Sequence, residues 1–167
     1  MSAVVIRPED PQDRSAISAL LTSAFGTEGE ARLVDALRAG GHIVLSLVAE
    51  RDGDPRGYIL FSRLMVRQEE TSFPAVALAP LAVAPAHQGE GIGTALVDEA
   101  HLELQRLGER LSVVLGDPAY YGRFGYTHAR AANFESVYQC EALQALAWDE
   151  APTTGRLDYA APFSDLG

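Results

Sequence analysis

Residues 78–107 read LAPLAVAPAHQGEGIGTALVDEAHLELQRL. A short apolar strand runs into a turn with glycine at positions 89, 91 and 93, and an amphipathic helix follows at once. Glycines at every second position allow backbone conformations and close approaches that a Cβ forbids. They leave N–H groups free to converge on an anion. The start of the helix adds unpaired N–H groups and the positive end of its dipole. The stretch therefore reads as a phosphate or pyrophosphate cradle, against the plainer alternative of a glycine-rich turn that binds nothing. It departs from the dinucleotide pattern G-x-G-x-x-G, because the third glycine arrives one residue early and Thr94 fills its place. No Gly-Lys-Ser/Thr follows, so the nucleoside triphosphate loop is not matched either.

Working outward, residues 3–7 form a short strand. Asp10 caps a helix with Pro11 at its first position, and Ile17, Leu20, Leu21, Ala24 and Phe25 share one face before Gly26 closes it. A second helix covers about 28–39, with Leu33, Val34 and Leu37 inward. Strands follow at 43–50 and 57–66 around the turn Asp52-Gly53-Asp54-Pro55, and a third at 73–83. Pro80 cannot donate to a ladder, so that third strand should bulge or splay. In the helix after the cradle Ile92, Leu96, Ala100, Leu104 and Leu107 line one face. Residues 111–115 are an apolar run that reads as a buried strand. A short helix then ends on glycine, residues 134–148 suggest one or two strands, and the Pro- and Gly-containing tail from 149 reads as a loop or surface arm. The order β-α-α-β-β-β-α-β-α-β predicts an α/β fold with a mixed sheet, helices on both faces and a right-handed parallel crossover at the cradle. The whole of 1–167 is expected to be one domain, with 149–167 as a C-terminal arm.

The chain has 167 residues, 47% of them hydrophobic and 22% charged, as in an ordinary globular domain. Its net charge of −10 argues against nucleic acid and mildly favours a cationic partner. No apolar run approaches the ~20 residues needed to cross a bilayer. The N-terminus has no basic region followed by an apolar segment, so neither a membrane partner nor a signal peptide is expected, and the expected location is cytoplasmic. The single cysteine, Cys140, reads as a small core residue. His42, His87, His101 and His128 show no metal-ligand spacing, so no metal is expected, although His87 adjoins the cradle.

Gln88-Gly89-Glu90-Gly91-Ile92-Gly93 matches the Q/R-x-x-G-x-G/A signature of the GNAT N-acetyltransferase superfamily, which the chain resembles. Leu81-Ala82-Val83-Ala84-Pro85 looks like the end of that family's fourth strand. Tyr120-Tyr121-Gly122-Arg123-Phe124-Gly125-Tyr126 is similar to its later "fYeklGF" segment. The blocks VLGDPAYYGRFGY and AFGTEGEARLVDALRA resemble the YhbS-type subgroup. The resemblance covers about residues 3 to 130 and thins beyond 140.

The resemblance implies a GNAT fold with splayed fourth and fifth strands and acetyl-coenzyme A as co-substrate. Leu81, Ala82 and Val83 would pair with the pantetheine arm. Gln88, Gly89, Glu90, Gly91, Ile92, Gly93 and Thr94 would hold the pyrophosphate. A backbone N–H near Leu81 would serve the oxyanion, and Tyr121 would protonate the leaving thiolate. Tyr120, one residue earlier, is expected in the core, and Asp117 is expected to cap the short helix. Glu28 and Glu30, between the first two helices, are the candidates for a base acting through water. The implied activity is acetyl transfer to an unknown amine by direct attack in a ternary complex. The alternatives are a non-catalytic acyl-coenzyme A sensor and a nucleotide-binding protein of another fold. The sequence is compatible with a homodimer.

Overall fold

A computed structural model describes residues 3–166. Strand β1 (Val5–Pro8) is followed by a 3-10 turn, Pro11–Asp13, and helix α1 (Arg14–Phe25). The Asp10 side chain accepts from the Gln12 N–H, and Asp13 bonds back to the Asp10 N–H, so the chain enters the first helix through a reciprocal cap. Gly26, at φ 77°, ends α1 in the left-handed conformation, and α2 (Gly29–Ala39) follows.

Strands β2 (Ile43–Arg51), β3 (Asp54–Arg67) and β4 (Ser72–Val83) form an antiparallel meander. Helix α3 (Ile92–Arg106) crosses to β5 (Leu111–Leu115), which runs parallel to β4. Then come α4 (Pro118–Tyr121), α5 (His128–Ala131), β6 (Phe134–Glu135), β7 (Leu143–Ala147) and β8 (Gly155–Asp158). The eight strands make one mixed sheet, ordered β1-β2-β3-β4-β5-β7, with β8 paired to β3 and β6.

Alternation along β3 sorts the core onto two faces. Tyr58 and Leu60 pack under α1 and α2 with Leu21, Val34 and Leu37. Ile59 and Phe61 pack under α3 with Leu96, Ala100 and Leu104. A third cluster, around Leu64, Val113, Phe134 and Leu157, fills the far end of the sheet.

The strand carrying Pro80 does bulge. Ile59 and Phe61 of β3 face Leu81 and Leu78 of β4, so three β4 steps match two of β3 across Ala79 and Pro80. Beyond that bulge β4 leaves β5. The two are paired only through Val76, Ala77 and Leu78 against Ser112, Val113 and Val114. From there β4 stays with β3, while Leu115 pairs with Leu143 of β7.

Three expectations are corrected. The tail is no loose arm, because β8 pairs with β3 through residues 65–67, where β2 has run out, and Leu157 and Phe163 are buried. Its apolar residues are spaced to cover an exposed sheet edge, which the loop-like composition around them conceals. Leu107 lies 54% exposed, since it follows the last turn of α3 and misses the sheet. Cys140 is exposed, because it sits in the turn leading to β7 rather than on a strand.

Candidate active site

The turn after β4 has a backbone geometry that could hold an anion. Gly89 and Gly91 hold φ of 82° and 84°, the left-handed region that excludes ordinary side chains. Gly93 is needed for space, since a Cβ there would fall 2.5 Å from the Tyr120 hydroxyl. The first turn of α3 closes with Ala95 N–H donating to the Gly91 carbonyl at 3.0 Å. Among the described residues, the N–H groups of Gly89, Gly91, Ile92, Gly93 and Thr94 have no acceptor in the protein. Gln88 braces the turn by donating its side-chain amide to the Val83 carbonyl at 3.2 Å. Ile92 is buried under the sheet, so it offers only backbone. The Glu90 carboxylate is committed to Arg51 at 2.5 Å and lies 3.4 Å from His87. The Arg51 guanidinium holds that carboxyl below the usual carboxylate range.

Where β4 and β5 part, a cleft of about 820 Å³ opens. Its floor is residues 77–81 of β4 and Val113, Val114 and Leu115 of β5. Leu81 lines it, whereas Ala82 turns its side chain into the core under α1 and α2, and Val83 joins the cluster under α3. Pairing with β5 ends at Leu78, so the β5-facing edge of residues 81–83 carries no strand.

Tyr121 stands in the cleft wall. Asp117 accepts from the Ala119 N–H at 3.0 Å, which caps α4 and sets the direction of its single turn. Gly116 lets the Tyr121 ring pack close against the backbone just after β5, because a Cβ there would meet Cε2 at 2.5 Å. Tyr120 and Tyr126 close on the ring edge-to-face at 5.0 and 5.9 Å. Burial, with a smaller effect of Tyr120, pushes the Tyr121 phenol up to about 12. Among the described residues its hydroxyl has no hydrogen-bond partner.

Behind it runs a buried polar chain. Tyr126 lies 2.8 Å from Ser112 and 3.0 Å from His101 Nε2. Burial lowers His101 to about 4, so this imidazole is neutral at pH 7.

The two candidate bases separate. Glu28 pairs with Arg32 at 2.9 Å on the open surface. Glu30 lines the cleft from the first turn of α2. Tyr120 is not core as expected. It is half-buried between Gly93 and Arg123, whose guanidinium lies 4.7 Å from its ring centroid, because the α4 turn carries it toward the cradle. Arg123, which no sequence signal singled out, lies 3.4 Å from the Thr94 hydroxyl and brings a cation to the start of α3. Tyr138, Tyr159 and Phe163 of the C-terminal segments line the cleft and were equally unforeseen.

A family model described as an acetyltransferase (GNAT) domain matches residues 41–128. The chain is 37% identical over 171 residues to the N-acetyltransferase YhbS of Escherichia coli K12, covering 96% of this chain and 99% of that protein. The chain belongs to the GNAT acetyltransferase family. The structure of E. coli YhbS in complex with CoA superposes with a TM-score of 0.92 at 35% identity, over 100% of this chain and 95% of that one. A GNAT acetyltransferase from Brucella melitensis in complex with acetyl-CoA gives 0.82 at 36% identity, over 96% and 98%. The GNAT resemblance drawn over about residues 3 to 130 therefore extends through the tail. No helix among the described residues is long and apolar enough to cross a membrane.

Proposed function

We propose that this GNAT protein transfers the acetyl group of acetyl-coenzyme A to an amine by direct attack in a ternary complex. The observation that carries the reading is the cleft between β4 and β5, lined by Tyr121 and floored by the same strand that leads into the glycine turn. The CoA and acetyl-CoA complexes of its relatives support the choice of donor. The pyrophosphate would rest on the N–H groups of Gly89, Gly91, Ile92, Gly93 and Thr94, with Arg123 as the neighbouring cation. The pantetheine arm would run along the free backbone edge of Leu81, Ala82 and Val83, as an added strand.

The acceptor must shed a proton before it attacks, since a free alkylamine has a pKa near ~10. Glu30 takes that proton through water in this reading. The amine nitrogen then bonds to the acetyl carbon, and a backbone N–H near Leu81 stabilises the oxyanion. As the tetrahedral intermediate collapses the nitrogen gives its second proton to solvent, the C–S bond breaks and the sulfur leaves as thiolate. The Tyr121 phenol, protonated at neutral pH, hydrogen-bonds the sulfur and delivers its proton, which solvent restores.

Calorimetric titration with coenzyme A and a thiol-release assay with primary amines test this reading. Binding and turnover are expected from the wild-type chain. Gly91→Asp is expected to lose coenzyme A binding, because it forces an L side chain to φ 84° and puts an anion in the cradle. Retained affinity in a folded Gly91→Asp protein would reject the cradle. Binding without turnover would make the chain a sensor.

A further inference from the structure

We infer that the acceptor is a small monocationic primary amine carried on an aromatic or branched apolar body. This rests on the acetyl-transfer reading and names the substrate class for the same cleft. The acceptor end of the cleft is formed by the α1–α2 corner and the C-terminal segments, and three kinds of observation bear on it.

First, its charge has one sign. Among the described residues, the ionisable carboxylates lining the cleft are Glu30 and Asp158, and no Arg or His lines it. Asp158 is already paired with Arg67 at 2.9 Å. Among the described residues Glu30 has no protein partner, so it is the carboxylate left to receive an ammonium group. Second, the wall is aromatic. Tyr138 and Tyr159 meet edge-to-face with centroids 5.1 Å apart, and Phe163 continues the row 5.7 Å from Tyr159. The Tyr138 hydroxyl donates to the Phe163 carbonyl at 3.3 Å, which holds the row in place. Such faces attract a cation and pack against an apolar body equally well. Third, the rim is apolar. Phe25, Leu115 and Val137 line the cleft and are 41%, 50% and 90% exposed.

These observations favour one occupant. A zwitterionic amino acid brings a carboxylate with no cation to meet it in the lining. A polyamine offers several charges to one free carboxylate and only short methylene spacers to the rim. A volume of about 820 Å³, shared with the pantetheine arm, lies in the ~300–1,000 Å³ range of small-molecule sites.

The test is a kcat/KM comparison at saturating acetyl-coenzyme A. The probes are phenethylamine, spermidine, phenylalanine and a short peptide with a free N-terminus. Calorimetry of phenethylamine binding to the coenzyme A-loaded protein runs in parallel. Phenethylamine is expected to lead the panel. Glu30→Gln is expected to weaken its binding about tenfold and to lower kcat/KM further than that, because the base is lost with the carboxylate, with KM for acetyl-coenzyme A held within about twofold. A lead for phenylalanine, spermidine or the peptide would overturn the acceptor class while leaving acetyl transfer intact. An unchanged affinity in Glu30→Gln would overturn the role of that carboxylate. If coenzyme A binds but no amine is turned over, acetyl transfer fails, and the binding titration still decides the acceptor class.

Discussion

Burial keeps the proton on Tyr121 throughout the pH range in which amines become nucleophiles, because the phenol titrates only at about 12. Tyr121→Phe is expected to lower kcat by roughly a hundredfold, the scale of a positioned proton donor, with KM for acetyl-coenzyme A within about twofold. The wild-type rate should climb toward pH ~10 as the acceptor loses its proton. No falling limb from Tyr121 should enter below that, since its acid form is lost only as pH rises through about 12. An unchanged kcat in the Phe variant would remove Tyr121 from the chemistry. At this scale the sequence was legible where a residue acts through its own backbone or its immediate neighbours. Gly89 and Gly91 carry their positive φ, and Asp117 caps the helix it precedes. It was not legible for Tyr120 or Arg123, whose partners Gly93 and Thr94 lie 27 and 29 positions earlier in the chain.

At the scale of elements, β4 and the C-terminal tail do complementary work. The apolar run of β4 stays in the sheet, and the bulge at Ala79 and Pro80 takes up the missing donor. The strand then parts from β5, so one element supplies both the meander's last strand and the cleft's floor. The tail closes the opposite side. Leu157 of β8 lies in the core with Leu64, Val66 and Phe134, and its neighbours Asp158 and Tyr159 line the cleft. Leu157→Ala is therefore expected to destabilise the fold by roughly 2–4 kcal/mol, measured by urea unfolding, as for other buried leucines. A change within about 0.5 kcal/mol, typical of a surface position, would restore the loose-arm reading. The tail was misread because a strand of four residues carries too little pattern to stand out among Pro, Gly and Asp. What makes it a strand is the unoccupied edge of β3, which no local pattern reports.

Across the whole molecule, His101 joins parts of the chain that are far apart in sequence. Its ring meets Phe61 of β3, Phe124 and Tyr126 beyond α4, and Trp148 after β7. Burial lowers its folded pKa to about 4 from an ordinary 6.5. The unfolded chain therefore binds the extra proton between those two values. Stability is full above pH 6.5 and falls as pH drops toward 4. Moving from pH 7 to pH 5 should cost about 2 kcal/mol from this group alone, and His101→Gln should remove most of that loss in urea titrations. An equal acid loss in wild type and variant would show that His101 is not its source. The sequence by itself determined the order of the elements as far as α4, the parallel crossover and the glycine turn that opens α3. Each of these follows from the conformational freedom of neighbouring residues, from hydrophobic period and from the free N–H groups of a helix start. Only the tertiary structure decided the lining of the cleft. Phe25 and Glu30, Leu115 and Tyr121, Tyr138, and Tyr159 with Phe163 come from separate segments. No local rule brings them together, because their positions follow from how the sheet splays and where the last strand finds an open edge.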